Sequence, residues 1–293
     1  MIRLFLNGVV AEIAEKGAEM RVFRTKDGKN RLWSGDPRVW PEVSPILFPV
    51  IGRLKHDTVR IAGSECPMPM HGFAKNMTFT PREQTADHCT LVLWDSAETR
   101  EIYPFAFQLS VTHRITEKGF VTAYTAENRG ESVMPFVIGG HPGFACPMNE
   151  REAFSDYRIV FEKEEEGRTL ACMPGGMMGA AETIDLGMDH RTLALSHETF
   201  YKKGTLVLAG LNSRSVMLIH RYTGKGIRFS FPESPVLAVW THPTASAPYI
   251  CLEPWNGLPA VMDETGDFEN KPFHVALEPG GLFHTRYQME SLD

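Results

Sequence analysis

The segment FQLSVTHRITEKGFVTAYTAEN, residues 107–128, decides the fold. Two runs within it, 107–115 and 119–128, alternate apolar and polar side chains with the period of a half-buried strand. The turn signal EKG at 117–119 separates the runs. The segment is therefore predicted to form an antiparallel hairpin.

Runs of the same kind recur along the chain at 89–94, 205–211 and 215–222. Glycine-containing turn signals separate such runs, at 26–30, 128–132 and 223–226. No long segment has a sustained 3.6-residue apolar period, and no alternation of strands and helices indicates a parallel sheet. The sequence predicts an all-β protein, a large antiparallel β-sandwich.

The chain is predicted to form one domain over residues 1–293, since sandwiches of this size commonly remain single domains. The stretch from Phe161 to about Ser196 carries charges and glycines, so it is either a linker between two domains or an irregular excursion between strands. We favour the excursion because strand-like runs lie on both sides. The first twenty residues, interrupted by Glu12, Glu15 and Lys16, indicate a strand pair and not a signal sequence.

Composition excludes several classes of protein. The net charge of −6 and the pI near 6.0 provide no basic surface for nucleic acid. No apolar run is long enough to cross a membrane. An odd number of cysteines without a CxxC pair indicates reduced thiols and a cytoplasmic location. The sequence leaves open whether the protein is a monomer or a homodimer. The cysteines are Cys66, Cys89, Cys146, Cys172 and Cys251.

His141 lies in the stretch IGGHPGF, where Gly139, Gly140 and Pro142 surround an ionisable side chain. This pattern predicts an unusual backbone and a close approach of other atoms, as expected beside a ligand. Histidine is the commonest acid-base residue, but it is also a frequent hydrogen-bonded member of a protein core. Local pattern alone does not separate these two readings.

Glu253 lies in ICLEPWNGLP, a carboxylate among apolar residues near the end of a strand. Burial there is expected to raise its pKa and to suit it to acid-base work. The alternative is a glutamate that pairs with an arginine for structural reasons. Trp255 follows two residues later and offers either a face for a sugar ring or ordinary core packing.

His71 in PMHGFAK and Arg53 after SPILFPVIG are polar interruptions at the ends of apolar runs, and each taken alone favours a structural role. The remaining histidines have no metal-ligand spacing, and no GxSxG, Walker A or Rossmann glycine pattern occurs. We therefore expect chemistry without a metal or an organic cofactor.

Four motifs in order resemble the aldose 1-epimerase (galactose mutarotase-like) family, especially its less-characterised bacterial branch. They are SPILFPVIGRL at 44–54, HGFA at 71–74, GGHPGF at 139–144 and LEPWNG at 252–257. The resemblance implies a β-supersandwich with a sugar-binding cleft. It also implies that His141 is the acid, that Glu253 is the base, and that His71 and Arg53 bind sugar hydroxyls.

One family feature has no match in the sequence. Members that act on free hexoses hold sugar hydroxyls with an aspartate in the second half of the chain, but the stretch 196–208 offers Lys202 and Lys203 instead. A sister branch acts on phosphorylated hexoses, which these lysines or Arg53 would suit. The identity of the sugar therefore stays open.

The expected reaction interconverts the α and β anomers of an aldohexose or related sugar through its open-chain form, with His141 and Glu253 on opposite sides of the C1–O5 unit. We expect the carboxylate of Glu253 to raise the pKa of His141. The alternatives are a hexose-6-phosphate 1-epimerase, a non-catalytic carbohydrate-binding protein on the same fold, or a glycoside hydrolase, which would require a second carboxylate.

Overall fold

The computed structural model describes residues 1–243 and 247–292. The hairpin predicted from the sequence is present: Phe107–Ile115 and Gly119–Asn128 are neighbouring antiparallel strands, paired from Ile115 opposite Phe120 to Phe107 opposite Asn128. Along both strands buried and partly exposed residues alternate, so one face packs on the core and the other meets solvent.

Strands dominate the described part of the chain. They are β1 (Ile2–Leu6), β2 (Val9–Ile13), β3 (Met20–Arg24), β4 (Ile46–Leu47), β5 (Thr58–Ile61), β6 (Ser64–Pro67), β7 (Thr80–Gln84), β8 (His88–Trp94), β9 (Phe107–Ile115), β10 (Gly119–Asn128), β11 (Met134–Phe136), β12 (Ile138–Gly140), β13 (Gly143–Ala145), β14 (Tyr157–Phe161), β15 (Arg168–Cys172), β16 (Met178–Thr183), β17 (Thr192–Ala194), β18 (Leu206–Ala209), β19 (Ser215–His220), β20 (Gly226–Ser230), β21 (Val236–Trp240), β22 (Tyr249–Asn256), β23 (Val275–Leu277) and β24 (Leu282–Leu292).

The helices are short. They are α1 (Ala97–Ile102), α2 (His197–Lys203) and 3₁₀ turns at Lys55–Asp57, Ala74–Asn76, Phe154–Asp156 and Phe268–Asn270. Ser96 caps α1 by accepting the Thr99 N–H at 3.2 Å, and Ser196 caps α2 in the same way from Glu198. In the described residues no helix has the length and apolar character that a membrane span requires.

Two large antiparallel sheets form the body of the fold. The nine-stranded sheet has the order β17-β14-β19-β20-β24-β10-β9-β8-β7, and the eight-stranded sheet has the order β16-β15-β18-β21-β22-β12-β4, with β13 also paired to β22. Residues of both sheets belong to one buried apolar cluster that runs from Ile2 to Met289. The rings of Phe144 in β13 and Phe229 in β20 lie 5.7 Å apart across the two sheets. The predicted all-β antiparallel fold is confirmed.

The strand pair predicted at the N-terminus is present as β1 and β2. Asn7 and Gly8 join them with φ of 50° and 85°, the positive angles that a tight two-residue hairpin turn requires.

The stretch 161–196 differs from the irregular excursion that we predicted. It contains β15 and β16, which extend the eight-stranded sheet, and β17, which ends the nine-stranded one. Four of the six residues of β16 are exposed, because it is an edge strand. An edge strand of this kind lacks the apolar alternation by which strands are recognised in a sequence.

Candidate active site

The catalytic candidates lie on neighbouring central strands of the eight-stranded sheet. β12 lies between β22 and β4, and Gly139 is opposite both Trp255 and Leu47. His141 follows the last residue of β12, whereas Glu253 lies within β22, all of whose residues are buried. The sheet register therefore brings together two side chains that are far apart in the sequence.

The glycines before His141 are required by close packing. A Cβ atom on Gly140 would lie 2.7 Å from the ring of Tyr287 and 3.0 Å from the hydroxyl of Tyr124, both in the facing sheet. A Cβ atom on Gly139 would lie 2.6 Å from the indole of Trp255. The predicted close approach is confirmed. The predicted unusual backbone is wrong, because both glycines lie in the extended strand β12 and neither has a positive φ.

His141 and Glu253 form a buried pair. The Nε2 atom of His141 lies 3.2 Å from Oε2 of Glu253, and their side chains are 9% and 1% exposed. From the sequence we expected the two groups on opposite sides of a sugar's C1–O5 unit. In the structure the two side chains lie next to each other at 3.2 Å, on one wall of the cavity.

Burial sets the protonation of this pair. It raises the pKa of Glu253 well above its usual value, as predicted; the nearby Trp255 indole N–H has a smaller opposite effect, although no hydrogen bond of acceptable geometry joins them. It lowers the pKa of His141 well below its usual value, and the neighbouring His71 and Lys75 act in the same direction. The expectation that Glu253 raises the pKa of His141 is therefore wrong, because loss of solvation is the largest cause and lowers it. Burial therefore favours the uncharged form of both side chains.

His71 has a strained backbone and a fixed ring. Its φ is 67°, which is uncommon for a residue with a Cβ atom. The Gly52 N–H donates to Nδ1 of His71 at 3.1 Å, so the neutral ring carries its proton on Nε2. Burial lowers the pKa of His71 to about 3, with Lys75 acting in the same direction. The His71 and His141 rings lie 5.5 Å apart, edge to face. His71 is thus a neutral hydrogen-bond donor beside the pair.

Aromatic side chains flank His141. The ring of Trp40 lies 4.9 Å from the imidazole, and Trp240 lies 5.5 Å away in an edge-on arrangement. Trp40 also stacks on Tyr249 at 5.3 Å. These rings exclude water from His141 and offer apolar faces to a ligand.

All five site residues predicted from the sequence line one cavity of about 430 Å³. This volume lies within the range of small-molecule sites. The residues are Arg53, His71, His141, Glu253 and Trp255.

Three buried polar atoms at this cavity have no hydrogen-bond partner in the protein: Nδ1 of His141, Oε2 of Glu253 and Nε1 of Trp255. Buried polar groups are almost always paired, so such a group is typical of a polar ligand site.

Arg53 lies at the rim of the cavity and not on its floor. Its side chain is 51% exposed, and its Nε atom lies 3.6 Å from a carboxylate oxygen of Asp57. Lys202 and Lys203 do not line the cavity, because helix α2 directs them to Glu198 at 2.5 Å and Glu182 at 2.7 Å. The stretch 196–208 contributes Thr205 and Val207 instead.

Glu42, which was not predicted from the sequence, lines the cavity, and its carboxylate contacts the Lys75 ammonium at 2.5 Å. Among the described residues that line the cavity, the carboxylates are Glu42 and Glu253, with no aspartate. Trp40 and Glu42 immediately precede the SPILFP motif, and this proximity is the signal by which they could have been found. Gly175 and Gly176, in the turn between β15 and β16, were also missed as lining residues.

The chain thus combines an antiparallel sandwich with a buried histidine-glutamate pair at a cavity. The aldose 1-epimerase family matches residues 2–280, so the chain belongs to that family.

Its relatives include the plasmid and chromosomal LacX proteins of Lactococcus lactis subsp. lactis, each 32% identical over 263 residues, with 87% of both chains covered. A galactose mutarotase-like protein from Lactobacillus casei is 29% identical with a TM-score of 0.93, and each chain is covered completely. A galactose mutarotase related enzyme from Lactobacillus acidophilus is 25% identical with a TM-score of 0.93, covering 100% of this chain and 97% of that one.

Proposed function

We propose that the chain is an aldose 1-epimerase that interconverts the α and β anomers of an unphosphorylated aldohexose or related sugar. The observation that carries the proposal is the contact of 3.2 Å between His141 Nε2 and Glu253 Oε2 at the floor of a cavity. Two adjacent buried acid-base groups can give and take protons at the two oxygens of a hemiacetal.

The reaction needs no change in the total number of protons. One group removes the proton of the anomeric hydroxyl while the other delivers a proton to the ring oxygen, so the C1–O5 bond breaks and an aldehyde forms. After rotation about C1–C2 the roles reverse, and the ring closes on the opposite face. The family resemblance starts this cycle with His141 as acid. The pair can also begin with the proton on Glu253. His141 then removes the proton of the anomeric hydroxyl, Glu253 delivers its proton to the ring oxygen, and the reverse transfers on ring closure restore both side chains. Each positioned group contributes about 10²- to 10⁴-fold.

The other lining residues suit a sugar. The Nε2–H of His71 can donate to a hydroxyl, and Arg53 at the rim offers further donors. Trp255 and the rings beside His141 provide apolar faces for the C–H groups of the sugar. In the described structure Arg53 is the one cation that lines the cavity, and Asp57 already lies 3.6 Å from it. This favours an unphosphorylated sugar over a hexose 6-phosphate.

The proposal extends to the organisation of the protein. A single domain over residues 1–293 is supported by the continuous apolar cluster from Ile2 to Met289. A cytoplasmic location is supported by the scattered, odd-numbered cysteines. No metal or organic cofactor is assigned to the reaction, and monomer and homodimer both stay compatible with the sequence.

The test is an NMR measurement of anomer equilibration. A freshly dissolved pure anomer of each sugar in a panel is mixed with the protein, and the approach to equilibrium is followed with and without enzyme. Wild type should accelerate equilibration of at least one sugar, and Glu253→Gln should lower kcat by about 10²-fold or more with the fold retained. Glu233→Gln, which changes an exposed carboxylate paired with Arg286, is the matched control and should keep the wild-type rate.

A carbohydrate-binding protein without catalysis would broaden the sugar signals and leave the equilibration rate unchanged. A rate in Glu253→Gln equal to that of wild type would exclude Glu253 as an acid-base group.

A further inference from the structure

A buried thiol adjoins the proposed catalytic pair and has no role in the reaction. Cys251 precedes Glu253 by two residues in β22, so both side chains project from the same face of the strand. Cys251 is fully buried. Its Sγ atom, one ring nitrogen of His141 and one carboxylate oxygen of Glu253 all lie within 4.8 Å of one another.

We propose that His141, Cys251 and Glu253 form an inhibitory binding site for Zn²⁺. Nitrogen, thiolate sulfur and carboxylate oxygen are the three kinds of ligand that this borderline-soft ion takes in proteins. His141 and Glu253 line the cavity, so an ion between them has protein ligands on one side and space for water on the other. Three protein ligands with an open fourth position form a common arrangement at accessible zinc ions.

The distances require only a small adjustment. Tetrahedral zinc with bonds of about 2.0–2.3 Å separates its ligand atoms by about 3.3–3.7 Å. Nε2 of His141 and Oε2 of Glu253 are already 3.2 Å apart. Since no pair within the cluster exceeds 4.8 Å, a movement of the Cys251 side chain by about 1 Å completes the geometry.

Unused coordination capacity is a second observation that favours an ion. Oε2 of Glu253, the carboxylate oxygen that faces His141 Nε2, has no hydrogen-bond partner although it is buried. The ion would displace protons from the thiol and from the pair, so its binding should release protons and strengthen with rising pH.

Binding of Zn²⁺ would block proton transfer, because the ion occupies the lone pairs that the reaction uses. The ion and its water would also fill the part of the cavity beside His141 and Glu253 that the hemiacetal needs, so inhibition should be competitive with the sugar. This consequence rests on the proposed epimerase function, whereas binding of the ion does not.

The binding test uses Co²⁺ as a spectroscopic substitute for Zn²⁺. Metal-free full-length protein is titrated with Co²⁺ and then with Zn²⁺ as a competitor. We expect one Co²⁺ per chain, a thiolate-to-cobalt charge-transfer band in the near ultraviolet, and displacement of that band by one equivalent of Zn²⁺. Cys251→Ser should lose the band and weaken Zn²⁺ binding by about tenfold or more.

Cys172→Ser is the matched control, because Cys172 also lines the cavity but is not part of the cluster. It should keep both the band and the affinity. If Cys251→Ser does not fold, Cys251→Ala, which keeps a small apolar side chain in the buried position, and His141→Asn replace it. A wild type without the charge-transfer band, or a band that survives in the Cys251 variants or disappears in Cys172→Ser, overturns the proposal.

The kinetic test measures mutarotation at several Zn²⁺ concentrations. The apparent KM should rise with kcat unchanged, and each Cys251 variant should be at least tenfold less sensitive relative to its own metal-free rate. Unchanged rates in the presence of bound Zn²⁺ would refute the inhibitory role. A protein that shows the cobalt band but equilibrates no sugar contradicts the proposed function and supports the metal site.

Discussion

Stability at mildly acidic pH should depend on His113, a histidine in β9 that does not line the cavity. It is 2% exposed, its Nε2–H donates to the Ala18 carbonyl at 2.8 Å, and its Nδ1 lies 3.1 Å from the Thr122 hydroxyl. Burial lowers the pKa of His113 from its ordinary 6.5 to about 4, and the hydrogen bond to Ala18 opposes this in part. The unfolded chain therefore takes up a proton on this residue as the pH falls below 6.5, whereas the folded chain does not until about pH 4. The contribution of neutral His113 to stability is complete above 6.5 and is lost as the pH falls through this window.

The size of the effect follows from these two pKa values. Linkage gives a loss of about 2 kcal/mol by about pH 5 and of about 3 kcal/mol by about pH 4 from this one residue. In His113→Gln the carboxamide can still donate to Ala18 but does not titrate. The decrease in its free energy of unfolding between about pH 7 and pH 5 should therefore be smaller than in wild type by about 2 kcal/mol.

The assay is urea unfolding followed by tryptophan fluorescence at three pH values near 7, 6 and 5. The matched control is His284→Gln, in which an exposed histidine that also contacts a threonine hydroxyl, at 2.9 Å, is replaced. Its pH dependence should equal that of wild type. If His113→Gln loses as much stability between pH 7 and 5 as wild type does, burial of His113 does not control acid stability and the linkage argument is refuted.

Three further changes test the site. Because the pKa of His141 is lowered, kcat/KM should fall on the acid side, at pH values below the ordinary 6.5, as His141 takes up a proton. His141→Asn should lose this acid limb and about 10²-fold or more in rate. His71→Asn should keep the limb and raise the activation free energy by about 1–3 kcal/mol. Gly140→Ala should cost about 1–3 kcal/mol of stability and reduce kcat, because its methyl group would lie 2.7 Å from Tyr287; circular dichroism melting and the NMR assay measure both, and an active variant of normal stability would contradict the packing argument. Dialysis against a strong chelator should leave the rate undiminished, and a loss restored by one metal would mean that the histidines serve as ligands for a required ion.

The sequence predicted the parts of the fold whose two faces differ in environment. β9 and β10 alternate because one face is buried and the other meets solvent. The edge strand β16 has mostly exposed residues, so its sequence has no such pattern.

The site was predictable where a motif combined an ionisable residue with the glycines that close packing requires, as around His141. Glu42 had no such surroundings. The pKa of His141 could not be obtained from its neighbours in the sequence, because it depends on how completely Trp40 and Trp240 remove water from the imidazole.

The cavity has a floor of sheet and a rim of turns, and this division affects how the protein can be re-engineered. The acid-base pair is fixed by the register of β12 against β22 and by the facing sheet behind Gly140. The rim carries Arg53 and the turn between β15 and β16, whose Gly176 lies beside the Arg53 side chain. Insertions and substitutions in that turn can change which sugars enter while the chemistry of the floor stays constant. A library confined to residues 173–177 is therefore the economical starting point for altering sugar preference by directed evolution.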